Sequence, residues 1–341
     1  MRSRTGRSEQ HVANRAGAHD HMISSMPDLT RAVQTTVHRC LAVSPGEDVV
    51  VIVDGGTRRI GEALRDEAAA SGADAVLAIM DPREMDGNEP PRPIAAALGA
   101  CDVYIAPTTR SLSHTTARKR ATDAGARGAT MPGVTEDMLA RVMDIDFDAM
   151  AARSLAVAGL LDAADAARLT CPRGSDLTLA LAGRAGIADD GDLTAPGAFG
   201  NLPCGEGFIA PLNGEGRIVA SSLGPLGIGE EPAVLTVRDG HIVTADGGLG
   251  PEWLKLLGAH GEQGRNLAEL GVGTNDRAQL TGLVLEDEKI LGTVHVAFGA
   301  SAGIGGTVAV PIHLDVVVLD PSLEVDGRTV LEDGRFVLET A

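Results

Sequence analysis

Residues 47–56, EDVVVIVDGG, carry five consecutive β-branched residues between acidic residues and a glycine pair. A continuous apolar run of this kind predicts a parallel strand buried on both faces. The stretch that follows, TRRIGEALRDEAAASG, spaces its apolar residues at the helical period and ends in glycine, predicting an amphipathic helix with a glycine stop. The alternation then repeats. ADAVLAIMD (73–81) predicts a strand, PPRPIAAALGA (90–100) a helix and CDVYIAPTT (101–109) a strand. SHTTARKRATDAG (113–125) predicts a helix capped by its serine and stopped by glycine, and ARGATMP (126–132) a short strand.

Strands alternating with helices imply a doubly wound α/β sheet over roughly residues 30–145. Ligands of such sheets bind at the carboxyl ends of the strands, where DGGTRRIG, PTTRSLSH and PGVTEDM lie. The first of these loops is not GxGxxG, and no Walker A sequence occurs, so nothing in them specifies a nucleotide.

Past a helical stretch near 146–166 the chain changes character. TVRDGHIVTADGG and LEVDGRTVLEDGRFVL alternate apolar and polar residues around Asp239-Gly240, Asp326-Gly327 and Asp333-Gly334, the dipeptides of tight hairpins. Helices are expected in this half only near PEWLKLLGA (251–259) and DEKILGTVHVAFG (287–299). The predicted organisation is a tail over 1–25, an N-terminal α/β domain over 26–165, and a mixed, largely antiparallel α+β domain over 166–341. The first 25 residues are polar and aperiodic and lack the apolar segment of a signal peptide, so they are expected to be disordered, His11, His19 and His21 included.

Composition narrows the partners. The 341 residues carry a net charge of −18, which disfavours nucleic acid and anionic membrane surfaces. Aromatic residues make up 2%, with one Trp and one Tyr, so the core must be aliphatic. No stretch reaches the length of a membrane span. Cys40, Cys101, Cys171 and Cys204 lie far apart without metal-ligand spacing and read as reduced thiols of a cytoplasmic protein.

The chemistry sits in the second half. In PIHLD, His313 and Asp315 are two apart on a predicted strand and so share a face; they could be a hydrogen-bonded pair, a catalytic pair or two metal ligands. Glu206 lies in the proline- and glycine-rich GNLPCGEGFIAPL, where the bland alternative is an exposed loop acid. Glu269 stands among apolar residues in NLAELGVGTN and needs a partner if buried. His295, in LGTVHVAFG, reads equally well as a satisfied core histidine. Together the five supply oxygen and nitrogen donors without a thiolate, a set that suits divalent Zn, Co, Mn or Fe.

NLPCGEGFIAP, NLAELGVGTN, EDEKILGTVHVAFG and PIHLDVVV, in that order, resemble the blocks of the aminopeptidase T family of metallopeptidases, and residues 106–139 resemble the N-terminal domain of its shorter relatives. The resemblance covers most of residues 45–320. It implies metal ligands at Glu206, Glu269, His295, His313 and Asp315, and a homodimer. The peptidases carry a tyrosine shortly after the first histidine; here Ala302 stands near that place, and the one tyrosine, Tyr104, lies in the other half.

The leading expectation is therefore a metal-dependent hydrolase that cleaves an amide or related C–N bond of a short peptide or small molecule. Its metal-activated water would pass a proton to a carboxylate such as Glu206. The short relatives of the family include 2,5-dihydroxypyridine dioxygenases, which makes a single-Fe(II) ring-cleaving dioxygenase the second expectation. Its third ligand beside His313 and Asp315 would be His295, or His260 in LGAHGEQG. A metal-free binding protein is the third.

Overall fold

The structure is a computed structural model and describes residues 27–340; the expected N-terminal tail lies outside them. A short helix, α1 (Thr30–Gln34), precedes β1 (Asp48–Val53), α2 (Arg58–Ala70), β2 (Asp74–Ile79), α3 (Arg92–Leu98), β3 (Val103–Ala106), α4 (Thr116–Asp123) and β4 (Arg127–Thr130). The four strands pair in parallel in the order β2-β1-β3-β4.

Five of the six β1 residues are buried, because both faces are covered. Val49, Val51 and Val53 pack with Ile60, Leu64 and Ala68 of α2 on one side. Val50 and Ile52 pack on the other with Ile94 and Leu98 of α3 and Ala117 and Ala121 of α4. Each such side chain contributes roughly 1.5–3 kcal/mol of burial, before the entropy of ordering it. β2, the strand expected over 73–81, is the sheet edge, with Val76 and Ile79 about half exposed. The cap of α4 also differs from expectation: Thr115, not Ser113, accepts from the Arg118 N–H.

Two more helices follow, α5 (Glu136–Val142) and α6 (Phe147–Asp162), the latter capped by Asp146. The remaining strands are β5 (Ala166–Thr170), β6 (Asp176–Ala180), β7 (Gly186–Asp189), β8 (Phe199–Asn201), β9 (Glu206–Ile209), β10 (Asn213–Leu223), β11 (Ile228–Arg238), β12 (His241–Asp246), β13 (Leu267–Gly273), β14 (Val294–Gly299), β15 (His313–Val318), β16 (Ser322–Val325), β17 (Arg328–Glu332) and β18 (Arg335–Phe336). Among them lie α7 (Gly250–Gly258), α8 (Gly261–Gly264) and α9 (Val284–Asp287).

Every one of these strands except β8 joins a second, antiparallel sheet of 13 strands, whose central run is β10-β15-β14-β13-β9-β7. β8 instead returns to the first sheet and pairs in parallel with β4, completing five strands. Asp239-Gly240, Asp326-Gly327 and Asp333-Gly334 sit at the β11–β12, β16–β17 and β17–β18 hairpins with both residues at positive φ, as type I′ turns require.

The helix expected over 287–299 is absent. Val294–Gly299 is a strand, and the helical turn of that region is α9, upstream of it. Val294, Val296 and Phe298 point into one core while His295 and Ala297 face the other way, a period of two that tertiary pairing realises. Behind this sheet lies α6. Gly207 lets it approach: a Cβ there would press on Val157 and on the Ser154 carbonyl 2.8 Å away. Among the described residues no helix is long and apolar enough to cross a membrane.

Candidate metal centre

Four neighbouring strands of the large sheet carry the residues singled out in the sequence. The register places Glu269 of β13 opposite Ala297 of β14, which lies opposite Asp315 of β15. His295 lies opposite Gly271, and Glu206 of β9 opposite Gly273. Cross-strand partners and residues two apart share a face, so Glu206, Glu269, His295, His313 and Asp315 all project from the face away from α6. Alternate residues Val272, Val294, Val296, Val316 and Val318 fill the core on the other side.

The five side chains meet. His295 Nε2 lies 3.1 Å from Glu206 Oε2 and 3.2 Å from Glu269 Oε1. His313 Nε2 lies 3.3 Å from Glu269 Oε2 and 3.7 Å from Asp315 Oδ1. Glu269 is therefore the hinge of two three-residue groups, Glu206–Glu269–His295 and Glu269–His313–Asp315, each close enough to surround one ion. All but His313 are buried. The His313 ring is oriented by Nδ1, 2.7 Å from the Ala300 carbonyl, which leaves Nε2 for the cluster. Gly271 makes room for His295, whose ring occupies the place a Cβ would take.

Among the described residues two polar atoms in this dense site have no hydrogen-bond partner: Glu206 Oε2 and His295 Nδ1. Buried polar atoms are normally satisfied, so these two mark places a metal ion or its water would fill. Burial alone would raise the Glu269 carboxyl, but the His295 and His313 rings outweigh it and hold it far below the ordinary range. Burial likewise disfavours charge on His313, yet Asp315 and Glu269 push it up to about 10. His295 is raised well above its ordinary value by Glu206 and Glu269, against its burial. A divalent ion bound here would displace those protons.

Sequence reasoning missed two residues. Lys289, 1% exposed, places Nζ 2.5 Å from Glu206 Oε1, 2.9 Å from Glu288 Oε1 and 3.3 Å from Asp189 Oδ2. In the run EDEKIL a lysine beside three acids reads as a solvated charge, and only the fold buries it. Burial raises the Glu206 carboxyl, but Lys289 and His295 reverse this and leave it below its ordinary value, which makes it a poor proton acceptor. Asp189 and Glu288 are pushed up by burial to about 7 and about 8.

The second is His114, in the PTTRSLSH loop after β3; its ring centroid lies 6.5 Å from that of His313. It is exposed at its surface, yet desolvation by the protein around it, with the charge of His313, pushes its pKa down to about 4. The signal for it was its loop, at a strand carboxyl end of a doubly wound sheet. His260, by contrast, lies between α7 and α8 and belongs to neither three-residue group. Tyr104 is fully buried in the first half with its hydroxyl 3.3 Å from Thr122 Oγ1. Ala302 opens a short turn after β14 and offers no hydroxyl.

Comparison with known proteins adds to this geometry. The profile of the family described as NicX, 2,5-dihydroxypyridine 5,6-dioxygenase, matches residues 28–338. Among solved structures, a 2,5-dihydroxypyridine dioxygenase from Pseudomonas putida KT2440 superposes with a TM-score of 0.79 at 20% sequence identity, covering 91% of this chain and 97% of that one. Wild-type AmpT from Thermus thermophilus superposes with a TM-score of 0.67 at 20% identity, covering 91% of this chain and 98% of that one. No curated protein matches the chain. At such identities the two structures speak for a shared fold.

Proposed function

The chain belongs to the 2,5-dihydroxypyridine 5,6-dioxygenase family, and on that premise we propose that it is a metal-dependent dioxygenase that opens the ring of a hydroxylated nitrogen heteroaromatic. What carries this reading is the profile match over residues 28–338. Two features of the site point the same way. The place where the resembling peptidases carry a tyrosine is Ala302, and Lys289 holds Glu206 ionised, so the expected base of a hydrolase is occupied.

Glu269, His313 and Asp315 would hold one divalent iron, with His295 hydrogen-bonded to the Glu269 carboxylate beside it. Carboxylate and imidazole donors without a thiolate fit that ion, and the unpartnered Glu206 Oε2 and His295 Nδ1 fit a site completed by more than protein atoms. Iron so held would supply the binding and reduction of dioxygen. The remaining chemistry belongs to the chain. His114, neutral and close to His313, would offer a ring hydroxyl a hydrogen bond and so orient the ring beside the metal. The buried carboxylates keep the centre anionic and favour a cation there over bulk solvent.

Protein loaded with Fe(II) without oxygen should consume dioxygen when given 2,5-dihydroxypyridine, with loss of the aromatic absorbance. Absence of uptake with fully loaded protein would reject the proposal.

One observation favours a second reading. Two three-residue groups sharing Glu269 are the arrangement of a two-metal hydrolase, the aminopeptidase-like expectation from the sequence. Cleavage of an aminoacyl amide by the Zn- or Co-loaded chain, without oxygen uptake by the iron form, would select it.

A further inference from the structure

Lys289 is a cation locked into the wall of the site. Its ammonium donates a hydrogen bond to Glu206, pairs with Glu288 and Asp189 as well, and is 1% exposed. The Glu206 carboxylate is thereby divided. Oε1 is bound to Lys289, while Oε2 faces His295 Nε2 at 3.1 Å and, though buried, has no hydrogen-bond partner. An ion held by the Glu206–Glu269–His295 group would share the Glu206 carboxylate with the ammonium, bringing two like charges into a dry wall. The Glu269–His313–Asp315 group makes no ion pair with Lys289.

We infer that Glu206, Glu269 and His295 form a latent second metal site that the Lys289 ammonium keeps closed, so that the chain binds one divalent ion, at Glu269–His313–Asp315. The inference rests on the single-metal reading above and explains how a chain with donors for two ions would hold one. Lys289 acts here as a positioning residue: it neutralises part of the acidic wall and takes up one of the two Glu206 oxygens.

Mn(II) is the probe, since it reports without turnover. Chelated protein is reloaded with excess Mn(II), desalted, and its metal counted; electron paramagnetic resonance then separates isolated ions from pairs. Wild type and Lys289→Arg should hold one Mn(II) per chain with the spectrum of isolated ions. Lys289→Gln should hold two, spin-coupled through Glu269, and its melting temperature should depend on Mn(II) more steeply. Lys289→Gln with Glu288→Gln, which removes one carboxylate with the lysine, covers the case where the single variant fails to fold. Two Mn(II) in wild type, or one in every folded neutral variant, would overturn the inference. A wild type that binds one ion but consumes no oxygen with 2,5-dihydroxypyridine would sink the dioxygenase reading and leave the inference standing.

Discussion

Replacing Gly271 with alanine tests whether the sheet register builds the site. Gly271 lies opposite His295, and the added methyl would occupy the ring's place, with Cδ2 at 2.8 Å and the Nε2–Cε1 edge closer still. No backbone strain enters, because Gly271 is not among the positive-φ glycines. The ring is fully buried, so it has no free space to swing into. Overpacking of this kind costs about 1–3 kcal/mol. Pushing the ring off Glu269, at 3.2 Å, also loses a charge-assisted hydrogen bond worth about 1.5–3 kcal/mol, and the ion pair with Glu206 at 3.1 Å goes with it. The metal-free variant should therefore lose about 2.5–6 kcal/mol, a fall of roughly 4–9 °C in melting temperature for a chain of this size. Calorimetry of chelated protein measures it. His295→Ala removes the ring, so in that background Gly271→Ala should lose most of its effect, giving a coupling that is most of the single variant's cost. A single variant melting within about 2 °C of wild type, or additive effects in the double variant, would refute the account.

Two further outcomes are expected. Arg127 fixes the loop before β1 through paired 2.8 Å bonds to Glu47 and a 2.7 Å bond to the Leu41 carbonyl, and its hydrogen bonds hold the Glu47 carboxyl below its ordinary value. A depressed carboxylate contributes stability above its unfolded pKa and loses it as pH falls through the folded one. Urea unfolding of Glu47→Gln should therefore show a deficit of about 1–2 kcal/mol near neutrality that narrows below about pH 4; a deficit constant down to pH 3 would contradict this. His313→Ala should lose most of its bound divalent metal while His260→Ala keeps it, as counted by elemental analysis, because His313 stands in a three-residue group and His260 does not; the reverse order would move the site.

Local pattern decided a good deal. Five β-branched residues in β1 can only be satisfied between two layers, and the helices that follow each parallel strand supply them. The Asp-Gly pairs set hairpins because both residues tolerate positive φ. The i, i+2 spacing of His313 and Asp315 put them on one face before any neighbour was known. Tertiary structure decided the rest. Residues 287–299 read as helix from composition, but the chance to pair between β13 and β15 makes Val294–Gly299 a strand. β8 crosses to the parallel sheet over three residues, too few to carry a period. Glu269 became the shared centre of two ligand groups only through register, and Lys289, a lysine in an acidic run, became a buried cation only because β7, β9 and the chain after α9 close on it. Periodicity is a property of one segment and can be read along it, whereas which charges meet, and whether water reaches them, depends on segments far apart in sequence.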